Sequence, residues 1–191
     1  EKYRTVQPGV DVKVIGGAPY QLLREVDKAD GDIMLSEGFR AIEVGRAAGL
    51  IAKDSEVIAA WLPLTVTVAG KKADTLRLLA DLAQDGIKVG VPDPKRSTAQ
   101  AAARRMLERA KLADRINERV LPSGAYSALR DGTVDAFVTW GAISGVGVPM
   151  KLPARLREHI PAVAAPLTTS KRSESAVAFA KWLASPAAKA T

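Results

Sequence analysis

The chain has no cysteine among its 191 residues, which excludes a disulfide framework, a thiolate metal site and a cysteine nucleophile. The same absence leaves the compartment open, since cysteine-free chains occur on both sides of a membrane. Histidine occurs once, as His159, so a multi-histidine metal site cannot form and no resident metal or cofactor is expected. No apolar run approaches the roughly 20 residues that a membrane-spanning helix requires. Direct membrane insertion is therefore not expected. No signal-peptide pattern is visible either; if the protein is exported, its leader lies outside this sequence. Aromatic side chains for base stacking are few, with three Phe and three Tyr. The 28 basic and 21 acidic residues leave a net charge of +7, but the basic residues are dispersed, and Arg104, Arg105 and Arg109 read as one solvated helix face. Without clustering or interleaved aromatics, nucleic acid is not an expected partner, whereas a small anion remains compatible with the charge.

Catalytic sets are also missing. There is no Gly-x-Ser-x-Gly elbow, and Gly70-Lys71-Lys72 lacks both the upstream glycine and the Ser/Thr of a phosphate-binding loop. Asp93, Asp131 and Asp135 fall in turns, and no base can be paired with a nucleophile. The expectation is a protein that is not an enzyme.

What is present is a strand, turn and helix alternation supported by 47% hydrophobic residues, ample for a packed core. Val10, Val12 and Val14 alternate with polar residues, so residues 10–15 read as a strand ending at Gly16-Gly17-Ala18-Pro19, where Pro19 suits the first position of a helix. Residues 32–35 read as a second strand closed by Ser36, and residues 39–48 as a helix stopped by Gly49. Residues 64–69 are β-branched and lead toward a helix from about Asp74 with Leu76, Leu79, Ala80 and Ala83 on one face. The run 87–91 ends in Pro92-Asp93-Pro94, and a helix from Ala99 carries Ala103, Met106, Leu107 and Ala110 inward. A turn at Pro122-Ser123-Gly124, a short helix through Leu129 and a strand from Ala136 to Thr139 follow. A last helix, capped by Ser173 and stopped by Pro186, turns Ala176, Phe179, Ala180 and Leu183 inward. The βαβα rhythm predicts parallel sheets packed with helices.

The most informative stretch is residues 87–100. The first amides of a helix have no intrahelical acceptor, and Ser97 and Thr98 add hydroxyl donors beside them, so a strand ending there makes an anion cradle. An ordinary Ser/Thr-capped helix start accounts for the same residues.

In order and spacing these segments resemble the bacterial periplasmic solute-binding proteins of the two-lobed, hinged kind, closest to the molybdate/tungstate-binding branch. That resemblance is carried by Gly90-Val91-Pro92-Asp93-Pro94 before Ser97-Thr98-Ala99, by Asp32-Ile33-Met34-Leu35-Ser36, by Asp131-Gly132-Thr133-Val134-Asp135-Ala136, and by the closing helix that ends at Pro186. It implies an α/β fold of two lobes, each a mainly parallel sheet flanked by helices and joined by two hinge crossings, with residues 1–68 plus 149–191 as the first lobe and 69–148 as the second. It implies a receptor outside the cytoplasm that holds a small molybdate-like or tungstate-like oxyanion and delivers it to the membrane permease of an ABC transporter. The ligand residues it marks are Gly16, Gly17, Ala18, Ser36, Ser97, Thr98, Ala99, Ser123, Tyr126 and Trp140. Two depart from the pattern: Ala18 stands where the branch has a serine, and Trp140 where it often has a tyrosine. Gly16 and Gly17 serve equally as a tight turn, and Trp140 as a core or hinge residue. The branch also opens with a strand and a serine-bearing turn that this sequence does not show, so the expectation is that the sequence is a fragment of a longer chain, that another segment or a partner chain fills the gap, or that the lobe has been rebuilt. The alternative is the ligand-sensing effector domain of a LysR-type transcription regulator, which shares the fold; a leader peptide or a DNA-binding segment in the full gene would separate the two.

Overall fold

The structure is a computed structural model and describes residues 2–17, 19–26, 30–95, 97–121 and 124–189. The chain divides into two units, one made of residues 1–61 and 161–191, the other of residues 62–160.

In the first unit, helices α1 (Lys2–Val6), α2 (Pro19–Arg24) and α3 (Arg40–Ala47) accompany strand β1 (Ile33–Glu37). β1 runs antiparallel to β7 (His159–Pro166), pairing Met34 with Ala165 and Leu35 with Ala164. The core here is small: Leu23, Val26, Met34, Ile42, Ile51, Val163 and Leu167 pack together. Pro19 opens α2 as expected. Gly49, at φ +74°, ends α3 in the left-handed conformation that a residue without Cβ adopts most easily. Near the C-terminus, helix α6 (Ser173–Ala184) is followed by the short α7 (Pro186–Lys189). Tyr3 of α1 meets Phe179 and Trp182 of α6 at ring-centroid distances of 4.7 and 5.1 Å.

Several expectations need correction here. Residues 10–15 form no strand; Val12 and Ile15 are exposed and Val14 is 86% exposed. Alternation makes a strand only where a neighbour takes up the backbone donors and acceptors, and no described strand pairs with this segment. Ser173 is the first helical residue of α6 rather than its cap, a position held by Arg172 with no side-chain capping bond. Pro186 does interrupt the helix, but it opens another turn, as suits a residue with fixed φ at a first helical position.

The second unit is built on strand β2 (Val57–Ala69), which enters it from the first, together with β3 (Lys88–Pro92), β4 (Asn117–Leu121), β5 (Ala136–Trp140) and β6 (Gly147–Pro149). Their order is β2-β5-β3-β4, with β6 added to β2. The pairing is mixed, since β3 is parallel to both β4 and β5, whereas β2 is antiparallel to β5 and β6. Helix α4 (Ala99–Arg109) buries Ala99, Ala102, Ala103, Met106 and Leu107, the face its periodicity predicts. These residues join Leu64, Val66, Val89, Val91 and Val138 in one cluster. A smaller cluster beneath helix α5 (Ala125–Asp131) contains Leu129, Val134 and Phe137.

The helix expected from Asp74 is absent. Of its expected face, Leu76 and Leu79 are buried, but Ala80 is exposed and Ala83 only half-buried, and Leu82 is buried instead; the backbone makes turns and a 3-10 segment, Leu79–Ala83. The Asp81 carboxylate accepts the amides of Arg77 and Leu78 at 2.9 and 2.7 Å, drawing the chain into a tight local turn in competition with the helical ladder.

Candidate functional site

The start of α4 is shaped by Asp93. Its amide donates to the Leu121 carbonyl at 3.1 Å, its carbonyl accepts the Ser97 amide at 3.0 Å, and its Oδ1 accepts the Lys95 amide at 2.8 Å. The Pro-Asp-Pro sequence thus marks a loop whose aspartate serves as a structural acceptor and joins the ends of β3 and β4. Past this loop, Ser97 Oγ accepts the Ala99 amide at 3.1 Å. Ser97 therefore supplies the cap, and Thr98, the residue in the cap position, makes no side-chain capping bond.

Instead, the Thr98 hydroxyl is engaged from across the sheet. Trp140, at the end of β5, donates its indole N–H to Thr98 Oγ1 at 2.9 Å. The body of that indole packs against the unit's main apolar cluster, the usual arrangement for a side chain with an apolar ring and one polar edge. Indole has a single donor and no acceptor, whereas a hydroxyl has one donor and two acceptor lone pairs. Thr98 thus spends a lone pair on Trp140 and Ser97 spends one on Ala99, and among the described residues neither O–H has an acceptor. The next amides, at Gln100 and Ala101, belong to the first turn, where the helix offers no acceptor and the backbone dipoles favour negative charge. This corner of the second unit is rich in donors.

The other expected residues are distributed as follows. Tyr126, in the first turn of α5, is 50% exposed. It lies beside the turn at Gly145, where an added Cβ would stand 3.9 Å from the tyrosine ring. Gly124 precedes α5 at φ +81°, and its carbonyl accepts the Ser127 hydroxyl at 2.9 Å. In the first unit, Ser36 is buried within β1, and its hydroxyl reaches the Glu37 carbonyl at 3.4 Å. Gly16 is exposed, and a Cβ added there would meet nothing within 4 Å, while Gly17 lies against Leu22, whose Cδ2 would be 3.0 Å from such a Cβ. Ala18 and Ser123, like Arg96, lie outside the described residues. Ser97, Thr98, Ala99 and Trp140 are thus brought together in the second unit, while Gly16, Gly17 and Ser36 belong to the first. Sequence reasoning missed the Trp140–Thr98 bond, because 42 positions separate its partners and only the parallel pairing of β3 with β5 places their ends side by side.

The basic charge along α4 is largely committed. Arg104 pairs with Glu108 and Asp114 at 3.0 and 3.2 Å, and Arg105 and Arg109 both reach Glu158. Among the described residues no group of three His, Asp or Glu side chains is placed to hold a metal ion, and no helix is long and apolar enough to cross a membrane.

In open α/β sheets ligands bind outside the carboxyl ends of parallel strands, where the start of α4 lies after β3. The chain belongs to the family described as bacterial extracellular solute-binding protein, whose model matches residues 1–191. Solved structures share its fold. The periplasmic molybdate-binding protein of Azotobacter vinelandii is 18% identical with a TM-score of 0.72, over 97% of this chain and 85% of that one. Peb3 from Campylobacter jejuni is 18% identical with a TM-score of 0.74, over 98% and 87%. The sulfate-binding protein SubI from Mycobacterium tuberculosis is 20% identical with a TM-score of 0.69, over 94% and 72%. This chain has their α/β fold. Among curated proteins no sequence matches it.

Proposed function

We propose that the chain is an extracytoplasmic receptor that captures a small oxyanion, molybdate or tungstate ahead of sulfate or phosphate, and delivers it to the permease of an ABC transporter. The observation that carries this reading is the set of hydroxyl and amide donors at the start of α4. Ser97 and Thr98 each accept one internal hydrogen bond, from Ala99 and Trp140, and among the described residues neither O–H has an acceptor, so both can be offered beside the amides of the first turn. A fully ionised oxyanion has only acceptors and matches that set. Tyr126, Ser123, Ala18, Ser36, Gly16 and Gly17 complete the proposed ligand set, and residues 1–68 plus 149–191 and residues 69–148 are proposed as the two lobes. Family membership favours this role over the effector domain of a transcription regulator, and it favours binding over catalysis.

A second reading, a small phosphorylated carboxylate, is favoured by a structure of PEB3 with L-phospholactate bound, which aligns with 98% of this chain at a TM-score of 0.69. The substitutions at Ala18 and Trp140 favour it too, since both change the donors expected around a bare tetrahedral anion. A strand supplied by another segment or by a partner chain belongs to the same proposal. Residues 10–15 have a strand's alternation while remaining exposed, and β7 is the one described strand paired with β1.

A thermal-shift panel of molybdate, tungstate, sulfate, phosphate and phospholactate tests the reading. A true ligand at about a hundred times its dissociation constant stabilises the fold by about 2.7 kcal/mol, or roughly 5 to 10 °C at this size. Response to an inorganic oxyanion supports the first reading, and response to phospholactate alone supports the second. A flat panel on the full-length folded protein excludes both.

A further inference from the structure

Glu158 stands two residues before the point at which the chain passes out of the second unit, whose last residue is Ile160. Its side chain is only 14% exposed and holds two arginines of α4 at once: Arg105 Nη2 donates to Oε2 at 2.7 Å, and Arg109 Nη2 lies 2.8 Å from Oε1. Four residues apart on a helix, these arginines lie on one face, so the carboxylate bridges the helix's last two turns. The Glu158 main chain is committed elsewhere, its carbonyl accepting the amide of Leu64 at 2.7 Å. Leu64 lies just inside the other passage, since the unit begins at Leu62. Around this residue, Arg109 also reaches the Leu156 carbonyl at 3.5 Å, and Arg157 donates to the Leu152 carbonyl at 3.0 Å.

We infer that Glu158 is a coupling residue that fastens α4 to both chain passages, so that the C-terminal half of the helix, residues 62–64 and residues 157–160 open as one cooperative body. Two ion pairs to one largely buried carboxylate are screened less than exposed pairs, and removing the charge from one side leaves the remaining partners to be resolvated. In consequence, a displacement of α4 is transmitted directly to the two places where the chain leaves the unit. This goes beyond the ligand reading and does not depend on it, because the coupling is a property of the free protein. If the start of α4 is the ligand seat, the same body carries the binding event to the passages.

Residue-resolved hydrogen exchange on the free full-length protein tests it, comparing the wild type with Glu158→Gln and with the Arg105→Gln, Arg109→Gln pair. In the wild type, the Leu64 amide and the amides of α4 from Met106 to Ala110 are expected to exchange with a common protection factor. Either variant is expected to lower the protection of Leu64 at least tenfold while the β3 amides of Val89 and Val91 keep theirs, and combining the variants is expected to add little further loss. Unequal protection of Leu64 and α4 in the wild type overturns the inference. So does a loss spread equally over β3, which would mean a general loss of stability, and so does full additivity of the two sets of substitutions.

Discussion

Residues 10–15 and 87–91 carry nearly the same pattern, three apolar positions separated by single residues, yet they end in opposite environments. In the second unit Ile87, Val89 and Val91 are buried, the last two completely, because β3 has β4 on one side and β5 on the other, and α4 above it. In the first unit Val12 and Val14 face solvent, and no described strand lies against them. Alternation is therefore a statement about what a segment could do; a strand requires partners for its backbone groups and a surface for its apolar face. Gly90 sharpens the contrast. A Cβ there would stand 2.5 Å from Phe137 Cδ2 and 3.3 Å from Val134 Cγ1, so the packing of β3 reaches even the position where the run lacks a side chain. β2 repeats the contrast within one strand, with its first half mostly exposed and residues 64–69 buried throughout.

The widest predicted difference between the regions is in packing. Leu107→Ala, in the main cluster of the second unit, is expected to destabilise by about 2 to 5 kcal/mol, as truncation of a fully buried leucine does. Val14→Ala is expected to stay within about 0.5 kcal/mol, the range of exposed substitutions. Urea or thermal unfolding measures both, and a Val14→Ala cost near that of Leu107→Ala would break the comparison by showing that residues 10–15 are packed in solution.

At the start of α4 the expected effect is on affinity. Thr98→Ala removes both the outward donor and the acceptor of the Trp140 N–H, and is expected to weaken oxyanion binding by about 1.5 to 3 kcal/mol, the value of a hydrogen bond to a charged group. Because Trp140 bonds to Thr98, its emission should change on ligand addition in the wild type and change less in the variant. Calorimetry with unchanged affinity would remove Thr98 from the binding set and leave it as a residue of the helix start.

The smallest effects concern two glutamates, one in each unit, whose environments act in opposite directions. Glu56 in the first unit is held below its ordinary range chiefly by the hydrogen bond from Arg46, 2.5 Å away. Its stabilising contribution is present above the unfolded value of 4.5 and is lost as pH falls through the lower folded value. Glu118, on β4, is pushed up by burial, partly offset by Arg104, and its Oε1 is buried with no hydrogen-bond partner. The sign reverses: its contribution is favourable below the unfolded value of 4.5 and is lost as pH rises through the higher folded value. Glu56→Gln should therefore lower the melting temperature at pH 7, with the deficit shrinking in acid. Glu118→Gln should raise it at pH 7, with the gain disappearing in acid. Melting curves for both variants across pH 3 to 7 that shift in the same direction would show that the two sites do not differ as described.

Much of the second unit was legible in the sequence because its signals are local and mutually consistent. The helical face of Ala103, Met106 and Leu107, the β-branched run of residues 64–69 and the Pro-Asp-Pro stop each reflect a periodicity or a fixed torsion that neighbouring residues set. Tertiary contact decided where those signals were honoured. The helix expected to carry Leu76, Leu79, Ala80 and Ala83 became turns in which Asp81 captures two amides, and residues 10–15 stayed exposed with no described strand to meet them. The arrangement of the candidate site was likewise out of reach. Ser97 and Thr98 could be read as donors at a helix start, but the partner of Thr98 lies on a strand that becomes its neighbour only through the pairing of β3 with β5. Local order is set over a few residues by torsion and periodicity, and those the sequence states directly. Which hydroxyl accepts the Trp140 N–H, which carboxylate has its pKa raised or lowered and which valine is buried depend on groups far away along the chain, and only the folded structure brings them within reach.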